Sequence, residues 1–239
     1  MAIQTRAMDY HCDDEVFAAR IAWDDAITSP APGVLVSHAW AGRSDFENGK
    51  AEQLAAMGYV GFALDLYGKG IVGSGPDENS RLMQPFLDER PLLQQRMQLA
   101  LDELRSLPEV DTKKVAAIGF CFGGLCVLDL ARSGADLGAV ASFHGLLGAP
   151  SNTSGNESAA RVLIMHGWDD PMVPPEQVLA VAAEMDALGA DWQIHAYGGT
   201  LHAFTNPQAA DPDQGLQYDR VADLQSWNSL AHFLSETFR

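Results

Sequence analysis

The chain has 239 residues, 47% of them hydrophobic, which suits one domain with a full core and does not suit a disordered chain. Fifteen Lys and Arg against 32 Asp and Glu leave a formal net charge of −17, arguing against nucleic acid and anionic membranes, which are bound through clustered positive charge. No apolar run approaches the ~20 residues of a membrane span, the first residues lack a signal peptide's apolar segment, and Cys12, Cys121 and Cys126 cannot all pair, so a cytoplasmic, reducing location is expected.

Taken in order, residues 3–9 and 15–23 read as two opening strands joined through His11-Cys12-Asp13-Asp14. The potential metal ligands in that turn are consecutive and lack a spaced partner set, so no metal site is expected. Thr28 to Gly33 is a loop, and Val34–Ser37 a buried strand ending at His38-Ala39-Trp40-Ala41-Gly42. Ser44-Asp45-Phe46-Glu47 is a capping box opening a helix with Ala51, Leu54, Ala55 and Gly58 on its packed stripe. Tyr59 to Leu64 is strand-like and runs into Asp65-Leu66-Tyr67-Gly68. Residues 71–90, rich in Gly, Pro and polar groups, read as irregular, whereas Leu93, Met97, Ala100, Leu101 and Leu104 mark a helix stopping at Pro108.

Lys113 to Gly134 organises the chain as strand, sharp turn and helix. Val115–Ile118 is a short apolar run of the buried-strand kind, followed by Gly119-Phe120-Cys121-Phe122-Gly123-Gly124 and then by helical spacing from Leu125 to Ala131. This is the G-x-nucleophile-x-G pattern with cysteine in the serine position. Cys121 would project over the amino end of the following helix, where the dipole and N–H groups favour a thiolate. A buried cysteine in a glycine-rich turn is the other reading, and the pattern alone does not separate the two. Cys126, just inside the helix, reads as core.

Beyond the turn, Leu137–Phe143 reads as a strand, Ser151 to Ser158 as an exposed loop, and Val162–Met165 as a strand ending in His166-Gly167-Trp168-Asp169-Asp170-Pro171. Pro174 and Pro175 begin a helix closed by Gly189, and Trp192 to Tyr197 is the last strand. A loop holding His202 leads to a final helix with Val221, Leu224, Trp227, Leu230, Leu234 and Phe238 along one face. Strand and helix alternate without repeat or linker, so one α/β domain over 1–239 is expected, its mostly parallel sheet covered by helices on both faces. Polar groups collect just past strand ends, where open α/β sheets place their sites.

Three such groups come in the order Cys121, Asp170, His202. A thiol needs a base to become a nucleophile, and an imidazole needs a carboxylate to fix its tautomer. Singly, Asp170 also suits a cap near Pro174 and His202 a surface loop; jointly, with the turn at Cys121, they suit a triad in the chain order of α/β-hydrolases. Asp170 is preferred to Asp169 because it immediately precedes Pro171. An oxyanion hole would draw on the backbone N–H groups of Phe122 and of Trp40.

Gly119 to Gly124, His166-Gly167-x-x-Asp170-Pro171-x-Val173-Pro174, Gly199-x-x-His202-Ala203-Phe204, His38-x-Trp40-x-Gly42 and Asp65-Leu66-Tyr67-Gly68 together resemble the dienelactone hydrolase family over nearly the whole chain. The resemblance implies an α/β-hydrolase fold and a cofactor-free Cys–His–Asp triad that opens cyclic enol esters through a thioester. Two positions depart from it. Ala39 stands where the archetypal enzyme has a glutamate touching the resting thiol, and Asn206 stands where it has an arginine gripping a substrate carboxylate. Arg81, Arg90 or Arg96 are the candidates to replace that arginine. With the arginine absent and a charge of −17, a neutral ester or lactone is the expected substrate, in a pocket lined by Trp40, Phe122, Trp168, Met172 and Phe204. Within the family the chain looks like a metagenome-derived member hydrolysing phosphotriesters without a metal, as a promiscuous activity beside carboxyl-ester hydrolysis. A monomer or homodimer is expected. The alternatives are a non-catalytic binding protein on the same fold and an acyltransferase.

Overall fold

A computed structural model describes residues 2–153 and 158–239. The fold is α/β with a mostly parallel sheet, and the residues group into two compact units, one running to Ile118 and the other Gly119–Arg239. No helix among the described residues is long and apolar enough to cross a membrane.

In the first unit, β1 (Ile3–Cys12) and β2 (Glu15–Asp24) form an antiparallel hairpin in register from Ile3 opposite Asp24 to Cys12 opposite Glu15. Its two-residue turn is Asp13-Asp14, and Asp13 takes the left-handed conformation, φ +51°, that such a turn requires. β3 (Ala31–Ser37) and β4 (Val60–Ala63) run parallel, and β4 pairs antiparallel with β2. The strand order is β1-β2-β4-β3-β5, with β5 (Val110–Phe120) closing the set. β3 begins three residues before the expected strand because the Ala31 N–H donates to Glu109 C=O at 2.9 Å, drawing Ala31-Pro32-Gly33 out of the loop.

The capping box at Ser44 opens α1 (Asp45–Ala56): the Glu47 carboxylate accepts from the Ser44 N–H at 2.9 Å, and Ser44 Oγ accepts from the Phe46 N–H. Ala51, Leu54 and Ala55 are its buried face, whereas Gly58 lies past the helix end, not on the stripe. Residues 71–90 are not irregular throughout, because α2 (Pro76–Asp88) occupies most of them. Pro76 stands at the first helical turn, where its missing N–H costs nothing, and Asp77 and Glu78 oppose the dipole there. Its inward residues, Asn79, Leu82, Met83, Phe86 and Leu87, recur at helical spacing. The polar residues that suggested a loop are its outer face. α3 (Arg90–Ser106) buries Leu93, Met97, Ala100, Leu101 and Leu104 as the periodicity required.

In the second unit, β6 (Ala139–Phe143), β7 (Arg161–Gly167) and β8 (Trp192–Tyr197) lie side by side and parallel. Every residue of α4 (Phe122–Arg132) is buried, Cys126 included; each leucine so placed contributes about 1.5–3 kcal/mol. Two charges are buried with it: Arg132 bonds Asp129 at 3.1 Å and, through two nitrogens at 2.7 and 2.8 Å, Glu184 on α5 (Pro175–Ala187). The chain adds a two-stranded ribbon, β9 (Ala210–Asp211) with β10 (Leu216–Gln217), that its two-residue strands left invisible in the sequence. The final helix, α6 (Arg220–Thr237), buries Leu230 and Leu234 of the expected face, joined by Ala222, Ser226 and Phe233, whereas Val221 and Leu224 of that face are exposed. Small Ala222 and Ser226 let the helix pack at its start, which a count of large apolar residues overlooks. Of the expected loop at Ser151 to Ser158, residues 154–157 lie outside the described residues; Ser151 and Asn152 are exposed, whereas Thr153 and Ser158 are buried.

Candidate active site

β5 ends at Phe120, and Cys121 turns the chain with φ +55° and ψ −117°. Such a backbone costs a non-glycine residue on the order of 1–3 kcal/mol and persists only where its surroundings fix it. They do so here. The Cys121 N–H donates to Phe143 C=O at 3.0 Å, and its own C=O accepts from the Gly124 N–H at 2.9 Å, starting α4 at once. A Cβ at position 119 would lie 2.0 Å from Gly123 O, so only glycine lets β5 and α4 meet this closely. The turn leaves Cys121 partly exposed, with the Phe122 amide first in the helix.

Asp170 follows β7 in a tight turn, its N–H donating to Gly167 C=O at 3.1 Å. One carboxylate oxygen, Oδ1, accepts from the Met172 N–H at 2.8 Å; the other, Oδ2, lies 2.6 Å from His202 Nδ1. Both side chains are buried. Neighbouring Asp169 has an exposed side chain, and its N–H donates to Thr200 C=O at 3.0 Å, so Asp170 is the aspartate that meets the histidine. Gly167 lets the His202 loop close on β7: a Cβ there would meet the carbonyl oxygens of Thr200 and Leu201 at 2.6 Å. From the other side, His202 exchanges backbone hydrogen bonds with Gly215 and Gln217, at 2.9 and 3.1 Å, which ties it to β10.

Burial by itself would push the His202 imidazolium down. The negative charge of Cys121 and the hydrogen bond to Asp170 more than offset it and hold the imidazole up to about 10. Nε2 is buried and makes no hydrogen bond among the described residues.

The profile of the dienelactone hydrolase family matches residues 17–238. The chain belongs to the dienelactone hydrolase family. It is a hydrolase, similar over 100% of both chains to a crystal structure of a dienelactone hydrolase-like promiscuous phosphotriesterase from metagenomic libraries, with 37% identity and a TM-score of 0.95. It is 30% identical to the protein usf of Aquifex pyrophilus over 212 residues, 86% of this chain and 88% of that one. A Yersinia pestis protein provisionally named a carboxymethylenebutenolidase is 26% identical over 197 residues, 78% of this chain and 73% of its own.

Around the Asp170 turn of this dienelactone hydrolase family member, Trp168 and Met172 are 44% and 42% exposed, large apolar side chains turned to solvent beside a buried ion pair. Phe204 is fully buried, packed edge-on against His144 and Tyr197. Asn206 bonds within its own loop, Oδ1 accepting from the Gln208 N–H at 3.0 Å. In the first unit, Ala39 and Trp40 are half-buried on the loop after β3; Tyr67 Oη donates to Trp40 C=O at 2.9 Å. Of the arginines considered for an anionic substrate, Arg81 is exposed and paired with Glu78, and Arg96 is buried over the Phe17 ring and paired with Glu15. Arg90 is half-buried at the start of α3. Two grooves, about 480 Å³ between Arg161, His195 and Phe233 and about 320 Å³ between Trp23, Pro30 and Pro108, are not lined by Cys121, Asp170 or His202.

Two histidines escaped the reading from sequence. His166, at the end of β7, is buried with neither ring nitrogen hydrogen-bonded, and burial pushes it down, with the His202 charge acting the same way against that of Asp170. His144 follows β6 directly, buried, with its ring 5.2 Å from that of His202. His144 stands just past a strand end, the criterion that singled out Asp170, but belongs to no spaced motif; His166 lies within β7 and opens the motif running to Pro174, where the spacing marks Asp170 and not the histidine for a role.

Proposed function

We propose that this chain is a thiol-dependent hydrolase of neutral, activated carboxylic esters or lactones, with aryl phosphotriester hydrolysis as a promiscuous second activity. One observation carries the reading: the imidazole of His202 is held at Nδ1 by a buried aspartate, while a cysteine occupies the strained strand-to-helix turn that opens α4. The family and the phosphotriesterase similarity support the same chemistry.

In this reading the Cys121 thiolate attacks the carbonyl carbon, forming a C–S bond and moving the π electrons onto oxygen. The Phe122 N–H, at the positive end of α4, donates to that oxyanion; the sequence pattern assigns Trp40 the second donor. Collapse breaks the C–O bond, and the Nε2 proton of His202 passes to the leaving alkoxide, giving alcohol and a thioester on Cys121. Water then gives a proton to His202 Nε2 and its oxygen to the acyl carbon. The thiolate leaves, and its proton partner on His202 is restored. On a phosphotriester the thiolate attacks phosphorus and an aryloxide departs, taking the same proton as its basicity demands. Trp168 and Met172 supply apolar surface to an aryl group, and no arginine stands at position 206 to favour a carboxylate.

The test is a screen of neutral and anionic lactones, aryl esters and aryl phosphotriesters on wild type and Cys121→Ala, with mass spectrometry of trapped intermediates. The expected result is preference for neutral substrates and an acyl adduct on the peptide carrying Cys121. Turnover surviving unchanged in Cys121→Ala refutes the reading.

A further inference from the structure

Building on that reading, we propose that His144 is a positioning residue which, through Thr205, sets the placement of His202 against Cys121. His144 follows β6 with φ +38°, a left-handed backbone that histidine adopts more readily than most residues but that still costs free energy in a buried site. Its N–H is fixed by Met165 C=O at 2.8 Å. From there Nε2 lies 2.8 Å from Thr205 Oγ1, and the ring stands edge-on to two rings of one loop: His202 at 5.2 Å and Phe204 at 5.0 Å between centroids. Thr205 is itself buried, and Ala203 between them is also left-handed, φ +58°. Two left-handed residues therefore lie in the two segments that this hydrogen bond and these ring contacts join.

The geometry explains what a second fastening adds. Asp170 holds the imidazole at Nδ1 only, and a ring held at one nitrogen can swing about that bond, carrying Nε2 away from the sulfur. A contact on the ring's flank, anchored three residues further along the same loop, removes the swing. A leucine or phenylalanine at position 144 would fill the space, but it would leave the Thr205 hydroxyl buried without its partner. Histidine supplies both the flank and the hydrogen bond.

Thr205→Val, which keeps the shape and removes the hydroxyl, Thr205→Ser, which restores it, and His144→Asn, which tolerates the left-handed backbone, test this. The readouts are kcat and KM on a neutral aryl ester, the rate of Cys121 alkylation by iodoacetamide between about pH 5 and 9, and the urea midpoint. Thr205→Val and His144→Asn are expected to lose about tenfold to a hundredfold in kcat with KM within about twofold. The midpoint of their alkylation profile should move up by about one pH unit, toward that of an unassisted thiol. Thr205→Ser should stay near wild type in both. If either non-conservative variant folds and retains the wild-type kcat and alkylation midpoint, the inference is overturned whatever happens to its stability. A wild-type alkylation rate that His202→Gln leaves unchanged would instead overturn the thiol–imidazole reading itself.

Discussion

The Asp170 carboxylate is divided between two tasks: Oδ1 accepts from the Met172 N–H at 2.8 Å, which freezes the carboxylate plane, and Oδ2 meets His202 Nδ1 at 2.6 Å. An asparagine in its place keeps the acceptor for Met172 and turns an N–H toward Nδ1, which forces the imidazole into the wrong tautomer. Asp170→Asn should therefore lower kcat on an aryl ester by about 10²–10⁴-fold with little change in KM. Circular dichroism and thermal melting would check that the fold survives, and a loss below tenfold would show that the pair is only structural.

The raised His202 imidazole ties stability to pH. Its folded value, about 10, lies above its ordinary 6.5. The contribution is therefore complete below about pH 6.5 and is lost as pH rises through about 10. Urea midpoints of wild type and His202→Gln, measured at intervals across that window, should draw together as pH rises. Parallel curves would mean that the charge on His202 is not coupled to folding.

The buried charges of α4 make a prediction away from the site. Arg132 and Asp129 are both fully buried, and Arg132 also bonds Glu184 and the carbonyl groups of Leu147 and Gly148. Removing the guanidinium leaves the Asp129 carboxylate in the core without its cation, so Arg132→Met should destabilise by about 3–5 kcal/mol. Denaturant unfolding measures this directly. A change under about 1 kcal/mol would mean that water or a shifted side chain replaces the guanidinium.

Much of this was legible in the sequence because it is local. The turn at Cys121 needs glycines at fixed offsets, and Asp170 and His202 each follow an apolar run by a few residues, so spacing and chain order point to them together. Other features depend on contacts that spacing does not encode. His144 meets Thr205 across 61 residues of chain, and no local pattern marks either. α2 was hidden by its own composition, since a helix with a thin inward face and Pro85 inside it reads as a loop until Asn79 and Phe86 are seen to be buried. On α6 the large apolar residues held toward its end, at Leu230 and Leu234, and misled at its start, where Ser226 faces inward and Val221 and Leu224 face out.

The exposed indole of Trp168 offers a way to separate binding from chemistry. It is 44% exposed and lies two residues from the aspartate, beside Met172 at 42%. If it covers an aryl leaving group, Trp168→Ala should raise KM for aryl esters by about 5–30-fold, the equivalent of about 1–2 kcal/mol of apolar contact. Small alkyl esters should lose little, and kcat should hold for both. Equal losses on aryl and alkyl esters would show instead that the turn carrying Asp170 had been disturbed.

The proposed phosphotriester activity makes the sharpest demand on mechanism. If phosphorus is attacked by the same sulfur that attacks carbon, activity on a paraoxon-like triester must follow Cys121 and His202 in parallel with esterase activity. It must also persist after exhaustive chelation. Cys121→Ala should abolish both activities, and His202→Ala should lower both by about 10²–10⁴-fold. Incubation of wild type with the triester alone should yield a phosphoryl adduct on the peptide carrying Cys121, detectable by mass spectrometry. Triesterase activity that vanishes with chelator and returns with added metal, while esterase activity is untouched, would assign phosphorus chemistry to another site and leave the sulfur its carbon substrates only.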